Sequence, residues 1–302
     1  MFEPKRILCP IDFSPTSDRA LAYAAALAAA FDCTLDLLHV VPRADEHVAP
    51  PEVGLPVAVP AAPSPDAVTE AMRRRVSAAG AERLEPRLLV EEGRVHEMIV
   101  GQAGGGQATV LVIGTHGRTG FNRLLLGSVT EKVIRTAACP VLTVPPPAPD
   151  PRATPPLFRN ILCAVDRSAA ARAALHVSLA LAEPAAARVT VLHVLEYMDP
   201  AEPCEHVDAD VRESRRHIIE HAGQWLSAAV AAERAGGGHV EQIVVPNAHR
   251  AYCEVLQRAA SGGADLIVVG AQGRGSTGLM LYGSNTHHIV RGASCPVLSV
   301  RA

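Results

Sequence analysis

Arg6-Ile7-Leu8-Cys9-Pro10-Ile11-Asp12 returns as Asn160-Ile161-Leu162-Cys163-Ala164-Val165-Asp166, 154 residues further on at the Asp. Each run is short and apolar and closes on an acid. Leu38-His39-Val40 returns as Leu192-His193-Val194 at the same offset. Val112-Ile113-Gly114 returns as Val268-Val269-Gly270, Gly127-Ser128 as Gly283-Ser284, and Cys139-Pro140-Val141-Leu142 as Cys295-Pro296-Val297-Leu298, all at 156. The order is kept while the register drifts slightly, as a short insertion in one copy of a duplicated domain would give.

Between the copies, residues 145–156 read PPPAPDPRATPP, with seven prolines in twelve positions. Such a stretch continues neither a helix nor a central strand. The expected division is a first domain over 1–145, a Pro-rich linker over 146–156 and a second domain over 157–302. A further Pro-rich stretch, Ala49 to Pro65, has no counterpart in the second copy and reads as a long loop.

Strand-like and helical patterns alternate within each copy. In the first, strands are expected at Arg6–Ile11, Thr34–Val41, Leu88–Glu91, Val110–Thr115 and Val141–Val144. Helices are expected from Ser14-Pro15 to about Ala30, then over Asp66–Ala81, Val95–Gln102 and Gly127–Thr136. In the second, strands fall near 160–165, 188–195, 240–245, 265–270 and 297–300. Continuous Val/Ile/Leu runs suit strands buried on both faces, so the fold class is α/β, two tandem doubly wound parallel sheets.

Composition narrows the function classes. The 302 residues are 48% hydrophobic but only 3% aromatic, so the cores must be aliphatic. Lys plus Arg is 28 against 31 Asp plus Glu, which argues against a protein that grips nucleic acid by bulk charge. No apolar run is long enough for a membrane span. Met1 to Arg6 shows no secretory pattern, and seven Cys, an odd number, read as reduced thiols. The expected location is the cytoplasm.

The glycines carry the chemistry. Gly114-Thr115-His116-Gly117 is followed nine residues later by Gly127-Ser128-Val129-Thr130; Gly270-Ala271-Gln272-Gly273 is followed at the same interval by Gly283-Ser284-Asn285-Thr286. Glycines at a strand end admit backbone N–H groups to oxygens that a Cβ would hold away. A helix opening at Gly127-Ser128 adds free N–H groups, the helix dipole and a hydroxyl, a set suited to phosphates. Asp12 and Asp166 could accept from ribose hydroxyls or hold a divalent cation on the phosphates.

These residues closely resemble the universal stress protein family in its tandem two-domain form, over about 4–145 and 157–301. The resemblance implies strand order 3-2-1-4-5 in each domain and ATP, with Mg²⁺, bound where strands one and four diverge. It would set Pro10 and Asp12 beside adenine and ribose, Val40 against the base, and Gly114 and Gly117 along the ribose–phosphate path. Gly127, Ser128 and Val129 would supply phosphate donors. In the second copy Asp166, Val194, Gly270, Gly273, Gly283 and Ser284 take the same roles, with departures at Ala164 and Asn285. Both sites are expected to be competent.

Other residues have plainer readings beside functional ones. Arg118 and Arg274 are either phosphate-pairing or solvated loop cations. His116 is matched by Gln272, which argues against an obligatory acid–base role. His39 and His193 read as hydrogen-bonded structural histidines, and Cys9, Cys163, Cys139 and Cys295 as small core residues. Cys204, His206 and Asp208 alternate and could share a zinc, although a polar loop is the default.

The leading expectation is therefore a stress-response protein that binds ATP as a regulatory ligand. A slow Mg²⁺-dependent ATPase using the same pocket is one alternative, and a scaffold for a protein or small-molecule partner is another. The P-loop spacing Gly-x4-Gly-Lys-Ser/Thr does not occur. Val141–Val144 and Val297–Val300 are short apolar last strands whose pairing would give an intramolecular pseudo-dimer, with a homodimer of whole chains left open.

Overall fold

The computed structural model describes residues 2–42, 64–104, 109–117, 126–152, 157–196, 209–233, 238–247, 249–271 and 283–302. The chain divides into two compact units: Glu3–Pro146 with Asp150–Arg152, and Ala153–Ala302 with Met1–Phe2 and Pro147–Pro149. We call them the first and second unit.

The first unit runs β1 (Arg6–Pro10), α1 (Pro15–Phe31), β2 (Thr34–Val41), α2 (Pro65–Ala78), β3 (Arg87–Glu92), α3 (Val95–Gly104), β4 (Thr109–Gly114), α4 (Ser128–Thr136) and β5 (Val141–Val144). Its strands are all parallel, in the order β3-β2-β1-β4-β5. The second unit repeats this with β6 (Asn160–Ala164), α5 (Ala169–Ala182), β7 (Arg188–Glu196), α6 (Ala209–Glu233), β8 (Val240–Asn247), α7 (Ala251–Ser261), β9 (Leu266–Gly270), α8 (Ser284–Gly292) and β10 (Val297–Val300). Its order is β8-β7-β6-β9-β10, again all parallel. The doubly wound α/β class and the expected strand order are both present. The Pro-rich loop from Ala49 lies outside the described residues up to residue 63, and α2 begins at its last proline, Pro65.

Alanine explains how the first helix of each unit lies on its sheet. Ala20, Ala24 and Ala28 of α1 are fully buried, as is Ala174 of α5. Small side chains let the helix axis come close, and the strand ends opposite must be small too. A Cβ on Gly114 would stand 2.9 Å from Thr16 Cγ2 and 3.1 Å from the Thr16 carbonyl oxygen. On Gly270 it would stand 2.8 Å from the Ala171 nitrogen. These two glycines, expected on the nucleotide path, also serve helix–sheet packing.

The same local devices start both helices. Ser14 caps α1 by accepting from Ser17 N–H at 3.2 Å, with Pro15 just inside the helix. Ser168 caps α5 by accepting from Ala171 N–H at 3.1 Å. The seam at the other end of the strands is closed differently in the two units. In the first, fully buried Asp36 accepts from Arg6 Nε at 2.7 Å, and Arg6 Nη1 donates to the Gln102 carbonyl at 2.8 Å. In the second, Asp265 accepts from the backbone N–H groups of Arg159 at 2.7 Å and Asn160 at 3.1 Å. The burial of Asp265 holds its carboxyl above the ordinary carboxylate value despite those bonds.

Three of the four paired cysteines are core residues. Cys9 and Cys163 are fully buried, and Cys295 nearly so. Burial pushes the Cys163 and Cys295 thiols up to about 12 and the Cys9 thiol higher still. Cys139 is half-buried.

Candidate functional site: a crevice at the reversal of strand order

In the first unit β1 leads to β2 on one side and takes β4 as its neighbour on the other. Loops leaving the carboxyl ends of β1 and β4 therefore part in opposite directions, and a ligand crevice is expected there in an open α/β sheet. A pocket of about 340 Å³ lies at this point. Pro10, Ile11 and Asp12 line it from the end of β1, and Leu38 to Pro42 from the end of β2. Ile113, Gly114, His116 and Gly117 line it from β4, Val95 and Ile99 from α3, and Gly127 to Thr130 from the opening of α4. All the residues assigned to the first site by resemblance lie around this one pocket; Arg118, weighed separately as a phosphate partner, lies outside the described residues.

Hydrogen bonds fix the Asp12 loop. Asp12 Oδ1 accepts from Ser14 N–H at 3.0 Å, and Ile11 N–H donates to the Leu38 carbonyl at 2.8 Å. His39 Nδ1 lies 2.8 Å from the Ile11 carbonyl oxygen, and the Phe13 ring stands 4.6 Å from its ring. The histidine is thus a brace between β2 and the loop after β1, matching its structural reading. The second unit repeats the hydrogen bonds: Asp166 Oδ1 accepts from Ser168 N–H at 2.9 Å, and His193 Nδ1 lies 2.8 Å from the Val165 carbonyl oxygen, while Trp225 takes the place beside the imidazole.

Asp18, one turn into α1, has its carboxyl held above the ordinary value by burial and, secondarily, by the charge of Asp12. Arg75 Nη1, 3.2 Å from Asp18 Oδ2, opposes that shift. Behind the pocket wall, then, a half-buried acid already feels the negative charge of Asp12.

On the opposite side, Gly127 N–H donates to the Thr115 carbonyl at 2.8 Å, and Thr130 Oγ1 donates to the Gly114 carbonyl at 2.8 Å. Together they lock the first turn of α4 onto the end of β4. No side chain caps that helix, so its opening N–H groups are left to face the pocket. Gly127 has an ordinary φ of −60°, and the left-handed glycines among those described are Gly80, Gly93 and Gly263. The described motif glycines therefore allow close approach rather than an unusual backbone. A Cβ on Gly127 would press to 3.2 Å from the Thr115 oxygen, and one on Gly117 to 2.8 Å from Asp12 Oδ2.

His116 sits in the lining with Nδ1 2.9 Å from Thr115 Oγ1. Its Nε2 is buried and has no hydrogen-bond partner among the described residues. Thr130 is a site residue that the sequence reading missed, and its counterpart Thr286 likewise donates to the Gly270 carbonyl at 2.8 Å. The signal was available: both fall at the same place in the repeated Gly-Ser-x-Thr.

In the second unit, Val194 lies near the end of β7 and Gly270 closes β9. Gly283 N–H donates to the Ala271 carbonyl at 3.0 Å, and Ser284 opens α8. Gly273 and Arg274 lie outside the described residues, as do Cys204, His206 and Asp208. Among the described residues no group of three His, Cys, Asp or Glu is placed to hold a metal ion. No helix among them is long and apolar enough to cross a membrane.

The duplicated fold has parallels among known proteins. The universal stress protein family matches the chain twice, over residues 3–145 and 157–301. A universal stress protein of Mycolicibacterium smegmatis is 26% identical over 300 residues, which cover 98% of this chain and 96% of that one. Universal stress protein Rv2005c of Mycobacterium tuberculosis is 29% identical over 199 residues; the match covers 65% of this chain and 62% of that relative's length. A solved universal stress protein from Archaeoglobus fulgidus has the same fold, with TM-score 0.62, 19% identity and 99% of both chains covered. With both halves matched in tandem, the chain belongs to the universal stress protein family.

Proposed function

We propose that the chain is a stress-response protein that binds an adenine nucleotide, ATP in the first instance, as a regulatory ligand in the crevice of its first unit. The observation that carries this is the meeting of three kinds of surface around one pocket. Val40, Val41, Pro42 and Val95 offer an apolar wall for a base, Asp12 an acceptor for ribose hydroxyls, and the uncapped opening of α4 a set of donors for phosphates. Its volume, about 340 Å³, lies within the usual span for small-molecule sites.

Among the described lining residues Asp12 is the only acid, and none is Lys or Arg. Phosphate charge would thus be met by the helix opening, by Arg118 and by Mg²⁺. Mg²⁺ keeps most of its waters and typically needs only one or two carboxylates beside substrate phosphates, which suits a single Asp. The bare Cα of Gly117 leaves Asp12 Oδ2 its place at the end of β4, where such an ion would be held.

The alternative of slow hydrolysis draws on His116, whose Nε2 is buried beside the pocket without a hydrogen-bond partner among the described residues. A protein partner in signalling belongs to the same proposal, with the nucleotide as its switch. The test is titration calorimetry of the whole chain with ATP, AMP and cyclic AMP, with and without Mg²⁺. Saturable binding of one or more supports the reading, and no binding at millimolar nucleotide overturns it. Steady-state phosphate release near the enzyme median of about 10 per second would replace the regulatory ligand with a substrate.

A further inference from the structure

The two units share their frame but differ at the mouth of the crevice. In the first unit Pro42 after β2, Val95 at the start of α3 and Val129 in the first turn of α4 all face the pocket. Their counterparts in the repeat are Glu196, Ala251 and Asn285. An apolar trio thus becomes one containing an acid and an amide.

These replacements bond to one another. Glu196 Oε1 accepts from Ala251 N–H at 2.6 Å and from Asn285 Nδ2 at 3.1 Å. Tyr252 N–H in turn donates to Asn285 Oδ1 at 3.4 Å. No side chain of its own cap residue, Arg250, caps α7, so the Glu196 carboxylate from β7 does that work, favoured by the positive end of the helix. The Tyr252 ring stacks on His288 at 4.4 Å and holds the openings of α7 and α8 together. The end of β7 and the openings of two helices are thus tied across the place where the first unit has its pocket wall.

We propose that Glu196 and Asn285 form a latch that excludes an adenine nucleotide from the crevice of the second unit, so that each chain takes up one nucleotide, in the first. This rests on the reading of the first crevice as a nucleotide site. The latch acts twice. It sets a carboxylate and an amide where the first unit has an apolar wall, so a base entering there would meet polar groups in place of Pro42, Val95 and Val129. It also sets a carboxylate against the second residue of α8, the helix whose opening would receive phosphates, so like charges meet there. Asn285 is the specificity-determining partner because its amide holds the carboxylate in place.

Calorimetry with MgATP tests this on the full chain. Wild type is expected to bind one equivalent, and Glu196→Ala/Asn285→Val to bind two. In a Gly117→Val background, which removes the first site, the latched chain is expected to bind at least tenfold more weakly than the unlatched one. Glu196→Gln, a change at an exposed side chain, removes the charge while keeping the fold and should reveal the second event in that background. Two equivalents in wild type would overturn the latch, as would one equivalent in both unlatched variants with unchanged thermal melting. If wild type binds none while the unlatched chain binds one, the reading of the first crevice fails and the latch stands. No binding by any variant overturns both.

Discussion

Asp12 Oδ2 stands 2.8 Å from the point a Cβ on Gly117 would occupy. The other carboxylate oxygen is held by Ser14 N–H, so one end of the group is fixed by the helix cap and the other depends on a missing side chain. The two residues come from loops after different strands and meet only because those strands are neighbours on either side of the reversal.

This separates two motif glycines by experiment. In Gly117→Ala the displaced atom is the far end of the Asp12 side chain and not backbone, so stability should move by no more than about 0.5 kcal/mol. Nucleotide affinity should fall at least tenfold, about 1.4 kcal/mol, as Asp12 is turned away. Gly114→Ala instead drives a Cβ against the side chain and backbone of Thr16, and over-packing of that kind costs about 1–3 kcal/mol. Urea midpoints beside calorimetry check both. Equal destabilisation by the two would show that Gly117 is a packing residue.

Thr130 and Thr286 give a matched pair. Each hydroxyl donates at 2.8 Å to the carbonyl that ends the fourth strand of its unit. Valine in either place keeps the volume but leaves a carbonyl unpaired, at a cost of about 1–3 kcal/mol. The two losses of stability should be alike, whereas nucleotide affinity should fall only for Thr130→Val. Equal loss of affinity in both would show that the second crevice also binds.

Much of this was legible because the sequence states it twice. The Asp that closes β1 and β6, the His that braces it and the Gly-Ser that opens α4 and α8 recur at fixed offsets, and a recurrence reports a local rule. What escaped was whatever is not local. Asp36 looks like an ordinary charged residue in a strand, and its repeat partner is Thr190, so neither pattern nor repeat marked its bond to Arg6. The latch escaped for a related reason. Asn285 was visible as a departure from Val129, but its meaning lies in Glu196, 89 residues away and brought opposite only by the sheet order.

Asp36 offers a direct test of that hidden bond. Its carboxylate is wholly buried and held by Arg6, while Arg87 Nε approaches the other oxygen only to 3.8 Å. Asp36→Ala would strand the Arg6 charge and should cost about 3–5 kcal/mol. Arg6→Met/Asp36→Leu removes both charges together and should recover most of that loss, a coupling read from a double-mutant cycle in urea. Additive losses would show that the two side chains act independently.

The thiols should separate by burial. At pH 8 Cys163 and Cys295, held near 12, and Cys9, higher still, have almost no thiolate and no route to solvent. Native alkylation followed by peptide mass spectrometry should leave these three unlabelled, and all should react in guanidinium. Rapid labelling of Cys9 in the native protein would mean that β1 opens locally.

Acid should expose the Asp150–Arg152 pair. Hydrogen bonds from Arg152 pull the Asp150 carboxyl down to about 2, the nearest at 2.6 Å, and Arg152 Nη1 also donates to the Ala78 carbonyl at 2.8 Å. A carboxyl with a lowered folded-state value adds stability that is fully present above its unfolded value, near 3.8, and is lost as pH falls through about 2. Asp150 is 37% exposed and Arg152 51%, so water screens the pair and its worth is about 0.2–1 kcal/mol. Asp150→Asn should accordingly lower the urea midpoint at pH 6 by that small amount, and the gap from wild type should close between pH 4 and pH 2. A gap that stays constant down to pH 2 would assign the effect to packing of the side chain and not to its charge.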